Sequence, residues 1–307
     1  MSPKQLSVVP WLGLVMALSP VALAAGPTAG VLNAIDGDVR IDGAPALPMS
    51  AGKLVAAPGQ VIETRDGMVE LLLTPGSFLR LGPGSKLRLT AADAQSARAV
   101  LSKGEALLET VDLRRPGAIR IEENGANVAI GKPGLYDFNR KRNDVAVYAG
   151  SARLDKNGDD VTLERGQGAK TRNLREFQAA PDRTGSLYAW SYLRSQQLSR
   201  ESAASAESYP TSRDWSGPAW YWDPWAASYT FLSASGHING PFGWPFYAPG
   251  HSHNYIPEHR GGDAYLYGPP VPAPVDRGIM PSVPATPPPA ATVPLTAPGV
   301  PTFPKNH

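Results

Sequence analysis

Residues 59–89, GQVIETRDGMVELLLTPGSFLRLGPGSKLRL, decide the fold. They hold a short direct repeat. Pro75-Gly76-Ser77-Phe78-Leu79-Arg80-Leu81 is followed by Pro83-Gly84-Ser85-Lys86-Leu87-Arg88-Leu89. Pro fixes φ and Gly tolerates positive φ, so each Pro-Gly reads as a tight turn. Leu-Arg-Leu then sends two apolar side chains one way and a charge the other, the period of a half-buried strand.

The same grammar extends on both sides. Alternating apolar pairs occur at Val39/Ile41, Leu79/Leu81, Leu87/Leu89, Ile119/Ile121, Val128/Ile130, Val145/Val147 and Val161/Leu163. Between them stand Asp36-Gly37, Asp42-Gly43, Asp66-Gly67, Asn124-Gly125 and Asn157-Gly158, pairs suited to type I′ hairpin turns. Short strands at this spacing predict an all-β sandwich, jelly roll or barrel over residues 25–172. Residues 91–99 are the one stretch that reads as a helical turn or a loop.

The order of these signatures resembles the FecR-like periplasmic β domain. Gly37-Asp38-Val39 comes first, then Gly59-Gln60-Val61-Ile62-Glu63-Thr64, the Pro-Gly-Ser repeat, and Leu101-Ser102-Lys103-Gly104-Glu105-Ala106. Gly134-Leu135-Tyr136-Asp137-Phe138, Val145-Ala146-Val147-Tyr148-Ala149-Gly150 and Leu163-Glu164-Arg165-Gly166-Gln167 close the series. The resemblance covers about half of the chain. It implies a jelly-roll-like sandwich. Membrane-spanning members of that family relay an outer-membrane signal to a cytoplasmic sigma factor. This chain departs from them at its start and has no internal apolar run long enough to span, which counts against a direct sigma-factor role. It looks like the freestanding, exported type.

The start reads as an export signal. Lys4 precedes an apolar run at 8–23 that is broken by Pro10 and Pro20, and Ala22-Leu23-Ala24 is a small-x-small site. Residues 1–24 are therefore expected to be a signal peptide cut between Ala24 and Ala25. The run is short of the ~20 residues that span a bilayer, so no transmembrane helix is expected in the mature chain. A periplasmic, outer-membrane-associated or secreted location follows.

Composition excludes several function classes. The 307 residues carry a net charge of +2 and no cysteine. That balance does not suit nucleic acid. A disulfide framework, a thiolate metal site and a lipidated cysteine are all excluded.

Beyond the β domain, residues 182–206 lack proline and hold glycine only at 185, and they read as a helix. Leu187, Trp190 and Leu198 share a face, with Leu193 beside it; Arg194, Arg200 and Glu201 are polar. Asp182 or Thr184 is the expected cap. The helix is expected to dock Trp190 and Leu193 on the sandwich. Residues 207–268 concentrate Trp215, Trp220, Trp222, Trp225 and Trp244 among Tyr, Phe, Gly and Pro. A similar Trp/Tyr/Gly/Pro tail follows the helix in many freestanding FecR-like proteins, which Trp220-Tyr221-Trp222-Asp223-Pro224-Trp225 resembles. An irregular unit is expected, its rings mostly packed with a partly exposed face. Trp220, Trp222, Trp225 and Trp244 are the candidate ligand-binding residues, because indole faces suit both cores and sugar or peptide surfaces. Residues 269–307 are Pro-rich and are expected to be extended and disordered.

Catalytic and metal motifs were sought and rejected. Asp155 to Asp160 suggests a calcium loop, but the sixth and twelfth positions are Asp160 and Gly166 instead of Gly and Glu, so a hairpin turn at Asn157-Gly158 is the better reading. Gly131-Lys132 runs into Pro133 and is no phosphate loop. His237, His251, His253 and His259 lack metal-ligand spacing. Ser77 and Ser85 lack a nucleophile elbow. Glu105, Glu109, Glu122 and Glu123 would serve a hydrolase only if two faced each other across a cleft. No catalytic residue, metal or cofactor is expected. The expectation is a non-catalytic binding or scaffolding protein of the bacterial cell envelope, its partner an envelope polymer or another envelope protein. The alternative is a periplasmic signal-relay component acting through a membrane partner.

Overall fold

The computed structural model describes residues 29–93, 95–209, 215 and 217–251. All lie within one compact unit, Met1–Pro270; the second unit, Val271–His307, lies outside the described residues, as do the signal segment, the Pro-rich stretch, His253 and His259.

Two large sheets form a β-sandwich. The first has eight strands in the order Leu32–Asp36, Met68–Leu72, Ser77–Leu81, Glu105–Thr110, Gly134–Asn139, Asp144–Ala149, Gln167–Lys170 and Glu176–Gln178. The second has nine, in the order Asp159–Glu164, Ser151–Lys156, Ala126–Ile130, Ile119–Glu123, Ala97–Lys103, Lys86–Ala92, Val61–Thr64, Val39–Ile41 and Ala44–Ala46. Pairing is antiparallel except where Ala97–Lys103 runs parallel to Ile119–Glu123. Each predicted apolar pair lies on a strand, and all but Ile41 and Val161 are fully buried. Asn157 and Gly158 carry φ of 52° and 96°, the two positive values that a type I′ turn requires, and this hairpin replaces any calcium loop.

The two copies of the repeat enter different sheets. Ser77–Leu81 lies inside the first and Lys86–Ala92 in the second. In the second copy Lys86 and Arg88 are exposed and Leu87 and Leu89 are buried, so that strand is half-buried as read. In the first copy all five residues are buried. Leu79 and Leu81 face the sandwich core, whereas Phe78 and Arg80 face the other side, which something else covers. The expectation of a half-buried strand is corrected there. Residues 91–99 form neither a helical turn nor a full loop: strands run to Ala92 and restart at Ala97. The turn between them is closed by Asp93 Oδ1, which accepts from the Gln95 and Ser96 N–H groups.

The cover is the helix Ser186–Ser208 with two hairpins, Ala219–Asp223 with Ser228–Leu232 and His237–Asn239 with Pro245–Tyr247. The aromatic segment is therefore not irregular over these residues. Its Gly and Pro residues punctuate short strands. The helix begins after Gly185 with no side-chain cap; Asp182 instead accepts from the N–H and hydroxyl of Thr184. Among the described residues, no helix is long and apolar enough to cross a membrane.

Candidate functional site

Docking of the helix follows the expectation at Leu187, Trp190 and Leu198 and departs from it at Leu193. Leu193 is 60 % exposed, while Arg194 and Glu201 are buried. The buried face is mostly small: Ser191, Ser195, Ser199, Ser202, Ser205, Ala203 and Ala206, with Leu187, Tyr188, Tyr192 and Leu198. Short hydroxyl side chains let the backbones approach and then bond to the hairpins. Ser199 donates to the Pro245 carbonyl at 2.6 Å, Ser202 to the Phe231 carbonyl at 2.8 Å, and Thr230 to the Leu198 carbonyl at 2.6 Å. The first hairpin also reaches the sheet edge. The Asn33 side chain donates to the Tyr229 carbonyl at 2.8 Å and accepts its N–H at 2.7 Å, in place of a backbone ladder.

Beneath the helix lies a buried charge layer. Arg80 has no exposed surface and donates through Nε to Glu70 and through Nη1 to Glu109, both at 2.8 Å. Arg194 Nε reaches Glu70 at 3.1 Å, and Asn33 donates to Glu70 at 2.9 Å. Ser195 donates to Glu109 at 2.7 Å, while Glu201 accepts from Ser228 and Gln197, each at 2.8 Å. Burial favours the protonated acid, but at Glu70 the charges of Arg194 and Arg80, with hydrogen bonds from Asn33 and Arg80, outweigh it and hold the carboxyl below the usual range. Glu109 shares one arginine, so burial prevails and pushes its carboxyl up. Burial likewise raises Glu201. This layer ties the cover to the sheet. It has no open access and its acids already have partners, so it serves as structure.

The other carboxylates of interest are not brought together. Glu105 and Glu109 stand on the first sheet, Glu122 and Glu123 on the second. Glu123 is buried, and burial together with the nearby Asp144 pushes its carboxyl up to about 8. A small half-open pocket at the helix start is lined by Glu105, Asp137, Arg142, Tyr148 and Tyr188. Burial pushes Asp137 up to about 6 against the pull of Arg142, 2.6 Å away, and of the Tyr148 hydroxyl, 3.1 Å away. Those two partners already occupy its Oδ2. Among the described residues, no cluster of three metal-ligating side chains occurs.

The four candidate tryptophans meet different fates. Trp220 is buried edge-on against Phe78, with ring centroids 5.0 Å apart, and also meets Phe231. Trp244 is buried against Tyr192 at 5.5 Å. Trp222 is half-buried beside Tyr229 at 5.0 Å. Trp225 is 96 % exposed in the turn of the first hairpin. Trp220 and Trp244 thus belong to the core, and of the four Trp225 alone offers an open ring. The sequence reading missed Leu47, Met49 and Val55, which are also exposed. Their signal was the stretch 43–62, which holds a single charge, Lys53.

No family model and no curated protein matches the chain. Among solved structures, the chain is similar to two crystal structures of "a putative anti-sigma factor from Parabacteroides distasonis ATCC 8503", at 2.50 and 1.65 Å resolution. The identities are 15 and 14 %, each with a TM-score of 0.33. The match covers 44 % of this chain and 64 % of each of those.

Proposed function

We propose that the chain is a non-catalytic, exported binding or scaffolding protein of the bacterial cell envelope, built on a FecR-like sandwich. One observation carries this reading: the acids beneath the helix are closed off and bonded to the cover, whereas a tryptophan stands free on a fixed turn. Asp223 Oδ1 accepts the N–H of Trp225 at 2.8 Å and that of Ala226 at 3.2 Å, which holds the turn that displays the indole. An indole held this way offers a large apolar face with one polar edge, which suits contact with a partner surface. The export signal read at residues 1–24 supports an envelope location.

The test is co-sedimentation of the chain beginning at Ala25 with isolated envelope fractions. The parent should pellet, and Trp225→Ala should lower the bound fraction several-fold with unchanged thermal unfolding. Recovery of the parent wholly in the supernatant would overturn the reading. Trp220 and Trp244 are unsuitable probes, because truncating a buried Trp costs about 3–5 kcal/mol of stability.

A further inference from the structure

Four of the five large exposed hydrophobic residues among the described residues, Leu47, Met49, Val55 and Trp225, come from two neighbouring loops. Their exposures are 53, 80, 46 and 96 %. The loops meet at Gly52, where a Cβ would collide with the Trp222 ring and lie 3.3 Å from the Ala227 carbonyl. Gly52 has φ of +73°, and its N–H is anchored to the Leu32 carbonyl at 2.7 Å. The 47–55 loop and the 224–227 turn are therefore fixed side by side.

Charge is sparse within the two segments themselves. Residues 43–62 contain Lys53 alone, and residues 215–236 contain Asp223 alone. Asp223 is buried and occupied by the turn N–H groups, whereas Lys53 is exposed. The two loops thus present apolar side chains with one free cation.

The shape selects among partners. Side chains this exposed stand out singly from loops and do not line a groove. A rigid protein would need a fitted pocket for each, whereas a lipid surface admits them one by one. Trp is suited to the headgroup level, and a lysine beside it complements anionic headgroups. Val31 bridges Val55, and the Ala56 N–H donates to the Gly30 carbonyl at 2.8 Å, which anchors the far end of the loop to the sandwich.

We propose that Leu47, Met49, Val55 and Trp225, with Lys53, form a contact for an anionic lipid surface. The proposal rests on the envelope reading above and names its partner by chemistry.

The experiment sediments the chain beginning at Ala25, which lacks the upstream apolar run, with vesicles of phosphatidylethanolamine and phosphatidylglycerol. A parallel arm uses lipid-free peptidoglycan sacculi. The expected result is pelleting with vesicles and a blue shift of Trp emission. Trp225→Ala with Met49→Gln should weaken vesicle binding about tenfold. Lys53→Glu should weaken it about fivefold, with less effect on vesicles of phosphatidylcholine alone. All three positions are exposed, so thermal unfolding should not move. Failure of the parent to pellet with vesicles, or equal binding by the Trp225/Met49 variant, overturns the proposal. Binding to sacculi without vesicles overturns it while leaving the envelope reading intact. Binding to neither vesicles, sacculi nor whole envelope fractions overturns both.

Discussion

Arg80 lies without exposed surface between two carboxylates and pairs with both Glu70 and Glu109, and for Glu109 it is the one arginine partner. Replacing it by leucine would leave two buried acids against an apolar side chain. Arg80→Leu is expected to cost about 3–5 kcal/mol, read as a lower urea midpoint. Glu123 gives a second test at this scale. Its folded pKa of about 8 lies above its ordinary value of 4.5. The stability it contributes is therefore fully present below the unfolded value and is lost as pH rises through the folded one. At about 1.36 kcal/mol per pK unit, the loss across that window reaches at most about 5 kcal/mol. Glu123→Gln keeps the shape and cannot ionise, so it should flatten the fall, match the parent near pH ~4 and exceed it near pH ~9. Urea titrations at the two pH values measure this. Neither role was legible in the sequence. Arg80 and Arg88 occupy equivalent positions in the repeat, yet one is buried and the other is solvated, because the difference is set by residues more than a hundred positions away.

At the scale of elements, the helix was legible and so was part of its packed face: Leu187, Trp190 and Leu198 turn inward as read, whereas Leu193 beside them does not. The rest of that face is lined with serines, whose hydroxyls bond to hairpin carbonyls. Ser spaced at 191, 195, 199 and 202 was the available signal, the i, i+4 and i, i+3 spacing of one helix face. Truncating the fully buried Leu198 to Ala should cost about 2–5 kcal/mol, whereas Leu193→Gln should stay within about 0.5 kcal/mol. Ser191→Leu should cost about 1–3 kcal/mol by overpacking a residue with no free surface. Thermal unfolding of the three variants ranks them. The ranking Leu198, Ser191, Leu193 follows from the observed docking and reverses the sequence expectation for Leu193.

At the scale of the molecule, the sandwich could be read because its signals are local: a period of two, and Asn-Gly or Asp-Gly at five of the reversals. What covers the outer face of the first sheet could not, since Phe78, Arg80, Leu107 and Leu135 gain their cover from far along the chain. The density of the aromatic residues carries no direction, so which rings pack and which stay open was not legible; hairpin pairing turned Trp220 inward and left Trp225 at the turn. The helix and the hairpins are part of the folded unit, and Trp225 is what they leave free. Hydrogen exchange followed by mass spectrometry tests this. Amides across 187–206 and in Ser228–Leu232 are expected to exchange only through the global unfolding that releases Ser77–Leu81. Exchange of 187–206 orders of magnitude faster than Ser77–Leu81 would contradict it, because the cover would then open while the sandwich stayed closed.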